Sequence, residues 1–186
     1  MWIKLEPSSL NQVSDEARIE KVLSIGYNDI SGMNWTLLGT FLNEFPNLIR
    51  LYMNDCKLLG DVMNDMMKAI AKDELKLKVF NIANNDISGI VGTLLGTFLS
   101  KSPYLFELNL DNCKISGDIM NEMISVYAED ELQLQELYIG NNDFCFIDST
   151  LLGIFLRKSP KLLKLYMRNC SLSDDVVNAI HHNCKS

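Results

Sequence analysis

Residues 48–58 read LIRLYMNDCKL, and Leu48, Leu51, Met53, Cys56 and Leu58 fit the pattern L-x-x-L-x-L-x-x-(N/C)-x-L. The pattern returns at Leu77, Phe80, Ile82, Asn85 and Ile87, then at Leu105, Leu108, Leu110, Cys113 and Ile115. Two more copies follow, at Leu134, Leu137, Ile139, Asn142 and Phe144, and at Leu162, Leu165, Met167, Cys170 and Leu172. An earlier, degenerate copy keeps Leu23, Ile25, Asn28 and Ile30, with Glu20 in place of the first leucine. First positions fall at 20, 48, 77, 105, 134 and 162, so the spacing alternates between 28 and 29 residues. One such match would be weak. Six in strict phase make the chain an array.

The polar anchor alternates as Asn28, Cys56, Asn85, Cys113, Asn142, Cys170, so the true period is 57 residues, built of two unlike halves. TLLGTFL at 36–42 and 93–99 and TLLGIFL at 150–156 keep that period, as do GDVMNDM at 60–66 and GDIMNEM at 117–123. Pro46, Pro103 and Pro160 keep it too. At these residues the chain resembles the ribonuclease-inhibitor-like class of leucine-rich repeat, to which the carboxy-terminal sensor domains of NOD-like receptors belong. The resemblance covers roughly residues 20–186.

Elementary geometry gives the same architecture. Positions 2 to 7 of each repeat alternate inward and outward, the period of a strand. Successive strands must pair in parallel, because each returns through a crossover of about 20 residues. The crossover carries a helix: Leu37, Leu38, Phe41 and Leu42 form one apolar face, and Val62, Met63, Met66, Met67 and Ile70 form another. The prolines lie just past their helices, where they block continuation. The expected fold is α/β, a curved leucine-rich repeat solenoid or horseshoe arc, with a parallel β-sheet on the concave face and helices on the convex face.

The expected organisation is residues 1–19 as a helical half-repeat or N-terminal cap, then six repeats over 20–186. Shifting the first residues by one period lays Leu5, Leu10 and Val13 over Val62, Met67 and Ile70, which is the basis of the helical reading. Val176, Val177 and Ile180 mark the sixth helix. Solenoid ends need caps with a polar outer face, and no cap is evident at either end. That points to a fragment of a longer array with self-association through uncapped ends; a small complete protein with amphipathic caps is the other reading.

Composition narrows the function. The chain has 186 residues, 47% apolar, with a net charge of −7, which disfavours nucleic-acid backbone and anionic membrane as partners. No stretch approaches the ~20 apolar residues of a spanning helix, and the N-terminus has no signal-peptide pattern. Three of the five cysteines hold anchor positions, and there is no CxxC motif. Buried reduced thiols and a cytoplasmic setting are therefore expected. Cys145 and Cys184 fall outside the pattern, and the adjacent His181 and His182 point in different directions on a helix, a poor arrangement for one metal ion. No GxSxG, HExxH or phosphate loop is present. Asp73/Glu74 and Asp130/Glu131 recur at the repeat period, as structural carboxylates do. Neither catalysis nor a cofactor is expected.

Position 10 reads Asp29, Lys57, Asp86, Lys114, Asp143, Ser171, which predicts a ladder of exposed ion pairs along the strand-exit loops. Positions 3, 5 and 7 face away from the core and differ where the framework repeats itself. The candidate protein-binding residues are Arg50, Tyr52, Glu107, Asp111, Glu136, Tyr138, Lys164, Tyr166 and Arg168. Tyr138 and Tyr166, side by side at position 5, form the expected aromatic centre. The resemblance implies a protein-binding module, the ligand-sensing or autoinhibitory region of an intracellular NOD-like immune receptor. A stand-alone inhibitor or regulator of an enzyme or small GTPase, and a bacterial effector with eukaryote-like repeats, are the alternatives.

Overall fold

The computed structural model describes residues 5–7, 19–32, 34–45, 47–70, 74–127 and 131–183. Within them the strands β1 (Leu5–Pro7), β2 (Ile19–Ser24), β3 (Leu48–Tyr52), β4 (Val79–Asn81), β5 (Glu107–Asn109), β6 (Glu136–Tyr138) and β7 (Lys164–Tyr166) form one sheet in chain order. β2 to β7 pair in parallel, each with its successor. A helix follows each parallel strand: α1 (Trp35–Glu44), α2 (Gly60–Ala69), α3 (Gly92–Ser100), α4 (Gly117–Tyr127), α5 (Ser149–Arg157) and α6 (Asp174–Asn183). The sheet is open. Its register is the one the repeat dictates, with Leu23, Leu51, Phe80, Leu108, Leu137 and Leu165 in a single row.

The core lies between sheet and helices. Leu51, Phe80, Leu108 and Leu137 from the strands are completely buried, with Met63, Met66, Leu95, Met120 and Leu152 from the helices. Each such side chain contributes about 1.5–3 kcal/mol of transfer free energy. Leu38 and Leu42 join this core, while the side chains of Leu37 and Phe41 lie outside those described. Position 8 of every unit turns the chain away from its strand in the left-handed region: Tyr27, Asp55, Asn84, Asn112, Asn141 and Asn169 all have φ between 53° and 60°. Asparagine tolerates that conformation better than most residues, which accounts for its use at four of the six.

Two expectations change. Leu5 sits in a strand, not a helix, since β1 runs antiparallel to β2 with Leu5 opposite Lys21; an edge strand satisfies backbone groups that β2 would otherwise leave bare. Leu10 and Val13, the rest of that expectation, lie outside the described residues. Val79 and Ala83, at positions 3 and 7, are buried although their side of the sheet is open. Val79 lies in register between Arg50 and Glu107, two long side chains beside a short one. No helix among the described residues is long and apolar enough to cross a membrane.

Candidate protein-binding face

The anchors hold the units in the register that builds the face. Asn85 is 4% exposed and makes five hydrogen bonds. Its Oδ1 accepts from the Cys56 and Leu58 amides of the preceding unit, and its Nδ2 donates to the carbonyls of Met53, Ile82 and Ala83. Asn142 repeats this with Cys113, Ile115, Leu110, Ile139 and Gly140. The cysteines make the smaller joint: Cys56, Cys113 and Cys170 donate their thiols to the carbonyls of Ile25, Ile82 and Ile139. All three are buried and unbridged, and burial pushes the Cys113 thiol up to about 12. Cys145 is exposed and its pKa is also raised, first by desolvation and then by Asp143. Cys184 lies outside the described residues.

On the side of the sheet away from the helices, the candidate residues fall into one main cluster. The rings of Tyr138 and Tyr166 stack with centroids 4.7 Å apart and planes 4° from parallel. The Tyr138 hydroxyl donates to Glu136 Oε2 at 2.5 Å, and Lys164 Nζ donates to Glu136 Oε1 at 2.8 Å. Both oxygens of Glu136 are thereby engaged. Its pKa is lowered, by Lys164 first and Tyr138 second, while Tyr138 is pushed up to about 12, chiefly by its bond to Glu136. Arg168 reaches Asp111 at 3.3 Å across the intervening strand, and Asn141 donates to the same carboxylate.

Glu107 stands next to Glu136 in the register. Burial, and then the like charge of Glu136, raise its pKa, while Arg50 and Lys164 act in the opposite direction. Arg50 and Tyr52 sit on β3, three strands from Tyr138, with Asn81 and Asn109 completing the row between. They belong to the same face but not to the aromatic cluster. Tyr166 is 46% exposed, so the stack presents its outer ring to solvent.

The position 10 ladder forms in part. Lys57 bonds Asp29 and Lys114 bonds Asp86, each at 2.6 Å. Both pairs join an Asn-anchored unit to the Cys-anchored unit after it. Ser171 supplies no cation for Asp143, and the third rung is absent among the described ion pairs. His181 and His182 are exposed near the end of α6, edge to face at 5.9 Å. No group of three His, Cys, Asp or Glu among the described residues is arranged to hold a metal ion.

Sequence reasoning missed a feature at the last unit. A cavity of about 390 Å³ opens there, lined by residues that include Leu156, Ser159, Pro160, Leu162 and Leu163. Two signals mark the place: a leucine pair at 162–163 where Leu163 is 79% exposed, and five cations with no acid between 157 and 173 of an acidic chain. No protein-family model matches this chain, and no curated protein matches it in sequence.

Proposed function

We propose that residues 20–186 are an arc of a ribonuclease-inhibitor-like leucine-rich repeat solenoid and that the arc binds a protein through its concave face, without catalysis of its own. The observation that carries this reading is the Tyr138–Tyr166 stack ringed by Glu136, Lys164, Asp111 and Arg168. An ordered aromatic centre inside a charged rim is the composition of a binding hot spot. All four rim groups are engaged in hydrogen bonds or ion pairs before any partner arrives, which lowers the entropy lost on binding. Alternation of Asn and Cys anchors supports a ligand-sensing or autoinhibitory role like that of the repeat region of a NOD-like receptor, in the cytoplasm, where buried thiols stay reduced.

The test is the double variant Tyr138→Ala/Tyr166→Ala, compared with the wild type for melting and for captured partners, with an exposed helix residue such as Asp118→Ala as control. The stack lies on the solvent side of the sheet, so the expected melting change is small and the expected loss of capture is large. Unchanged capture would remove the face from the function. Collapse of the fold would make the tyrosines structural.

A further inference from the structure

The residues at position 5 run across the open face in register: Tyr52, Asn81, Asn109, Tyr138 and Tyr166, one from each of β3 to β7. Tyr52 and Tyr138 are three strands apart, about 14 Å at ~4.8 Å per strand. Only the two shorter asparagines stand between them. Each asparagine uses its side-chain carbonyl on its own strand end: Asn81 Oδ1 accepts from the Ala83 amide and Asn109 Oδ1 from the Asp111 amide, both at 3.0 Å. Neither Nδ2 donates to a group among the described residues. The anchors behave differently, since Asn85 and Asn142 each donate from Nδ2 to three carbonyls. The gap between the tyrosines thus has two neighbouring amide donors in its floor.

One wall of the gap is aromatic. The centroid separation of 4.7 Å in the tyrosine pair matches about one strand step, so the rings stack along the row. Tyr166 covers one side of the Tyr138 ring. The other side looks back over Asn109, and no second ring or cation lies over it among the described residues. The carboxylates nearby differ in one respect. Glu136 is held by Tyr138 and Lys164, and Asp111 by Arg168 and Asn141. Glu107, half-buried on β5 two residues before Asn109, makes no hydrogen bond or ion pair among the described residues. Its register neighbours are Val79, which is short and apolar, and Glu136, a second acid. A half-buried carboxylate in that position is costly to keep ionised until a cation reaches it.

We infer that the gap receives an arginine side chain of the protein partner, its guanidinium paired with Glu107 and laid on the uncovered side of Tyr138, while Asn81 and Asn109 donate to carbonyls of the partner's backbone. The inference rests on the reading of this face as protein-binding and adds the chemistry of what it binds. Arginine suits the place better than lysine. Its planar fork meets a carboxylate through two parallel N–H···O bonds, it stacks on an aromatic ring, and it is less strongly hydrated than an ammonium. An acidic side chain would meet Glu107 and Glu136 together, and an apolar one would bury Glu107 without a partner.

The probe is the peptide acetyl-Gly-Gly-Arg-Gly-Gly-amide, set against the same peptide with citrulline, which keeps the shape of arginine and lacks its charge. In an NMR titration of the full chain, the arginine peptide should saturate in the millimolar range. The Glu107 carboxyl, the Asn81 and Asn109 side-chain amides and the Tyr138 ring should shift together. Citrulline in the peptide, or Glu107→Gln in the protein, should weaken binding by about tenfold or more, the factor carried by a hydrogen bond to a charged group. Glu107→Gln removes no bond of the native fold, so melting should hold. Burial and then Glu136 raise the pKa of Glu107, against Arg50 and Lys164; saturation with the arginine peptide should lower it. Arginine and citrulline peptides binding alike would overturn the inference. So would shifts spread evenly over outlying acids such as Asp118 and Asp175, or binding indifferent to Glu107→Gln. A partner lost by the tyrosine double variant but kept by Glu107→Gln would leave the face protein-binding and refute arginine recognition alone.

Discussion

Replacing Asn85 by alanine tests the logic of the array at its most concentrated joint. The amide is 4% exposed and serves two units at once. Its removal strands the Cys56 and Leu58 N–H groups, which it accepts at 2.9 and 3.0 Å, and strips a donor from the carbonyls of Met53, Ile82 and Ala83. A buried donor left without a partner costs about 1–3 kcal/mol. Two such donors, with the carbonyls partly re-satisfied by small shifts, put the loss at about 3–5 kcal/mol. That is a large share of the ~5–15 kcal/mol that holds a folded domain together. At about 2–4 °C per kcal/mol for a chain of this size, melting should fall by roughly 6–20 °C.

Asn28 supplies the internal control. It occupies the same position, is exposed, and among the described residues its side chain bonds the carbonyls of Ile25 and Gly26 within its own unit. Asn28→Ala should cost no more than about 1 kcal/mol, the net worth of an ordinary hydrogen bond. Urea titration of both variants by circular dichroism makes the comparison. Equal losses at the two positions, or a loss below about 1 kcal/mol at Asn85, would refute the claim that the anchor acts by satisfying the preceding unit's amides.

Cys113 should resist a thiol reagent in the native state while Cys145 labels at once; rapid labelling of both without denaturant would contradict the buried joint. Native Cys113 stays protonated up to about 12, whereas an unfolded thiol ionises near 8.5–9, so the unfolded state gains as pH rises through that window. The urea midpoint should therefore fall more steeply above pH 9 in the wild type than in Cys113→Ala. Asp29, held by Lys57 and then by Ser31, should titrate at about 2 by NMR, moving up toward 4 in Lys57→Ala. Gly117→Ala should destabilise the array strongly, because its Cβ would stand 2.4 Å from the Ile147 nitrogen; unchanged melting would refute that close approach between units.

The strands, the parallel order and the register were legible in the sequence because each follows from a spacing, and spacing survives translation into structure without knowledge of side-chain packing. The row from Leu23 to Leu165 is the pattern's fourth position and nothing more. The tyrosine pair was legible for the same reason, since position 5 of neighbouring parallel strands must lie about 5 Å apart. Burial of Val79 was not, because it depends on the length of the neighbours in register, Arg50 and Glu107. Nor was the strand at Leu5–Pro7: a shift by one period assumes that the preceding unit keeps its shape, and an edge imposes different demands.

The two anchors also explain why the period is 57 and not 28 or 29. Helices pack as pairs, α1 with α2, α3 with α4 and α5 with α6, and much more sparsely between α2 and α3 or α4 and α5. Within a pair the glycine of TLLGTFL makes the approach possible: a Cβ on Gly39 would lie 2.3 Å from the Met66 carbonyl oxygen, and one on Gly96 would lie 2.6 Å from that of Met123. Close helices leave the strand-side joint little to do, and a thiol with one weak bond to the previous unit suffices, as at Cys56 and Cys113. Between pairs the helices contribute little, and the joint passes to hydrogen bonds. There Asn85 and Asn142 each make three bonds to the preceding unit, while Asn64 accepts from the Val91 amide and Asn121 from the Asp148 amide. Strong helix packing goes with Cys, weak packing with Asn. The alternation in the sequence is the alternation of two solutions to the same junction, and each fails where the other belongs: a cysteine at 85 would leave the Cys56 and Leu58 amides without their shared acceptor.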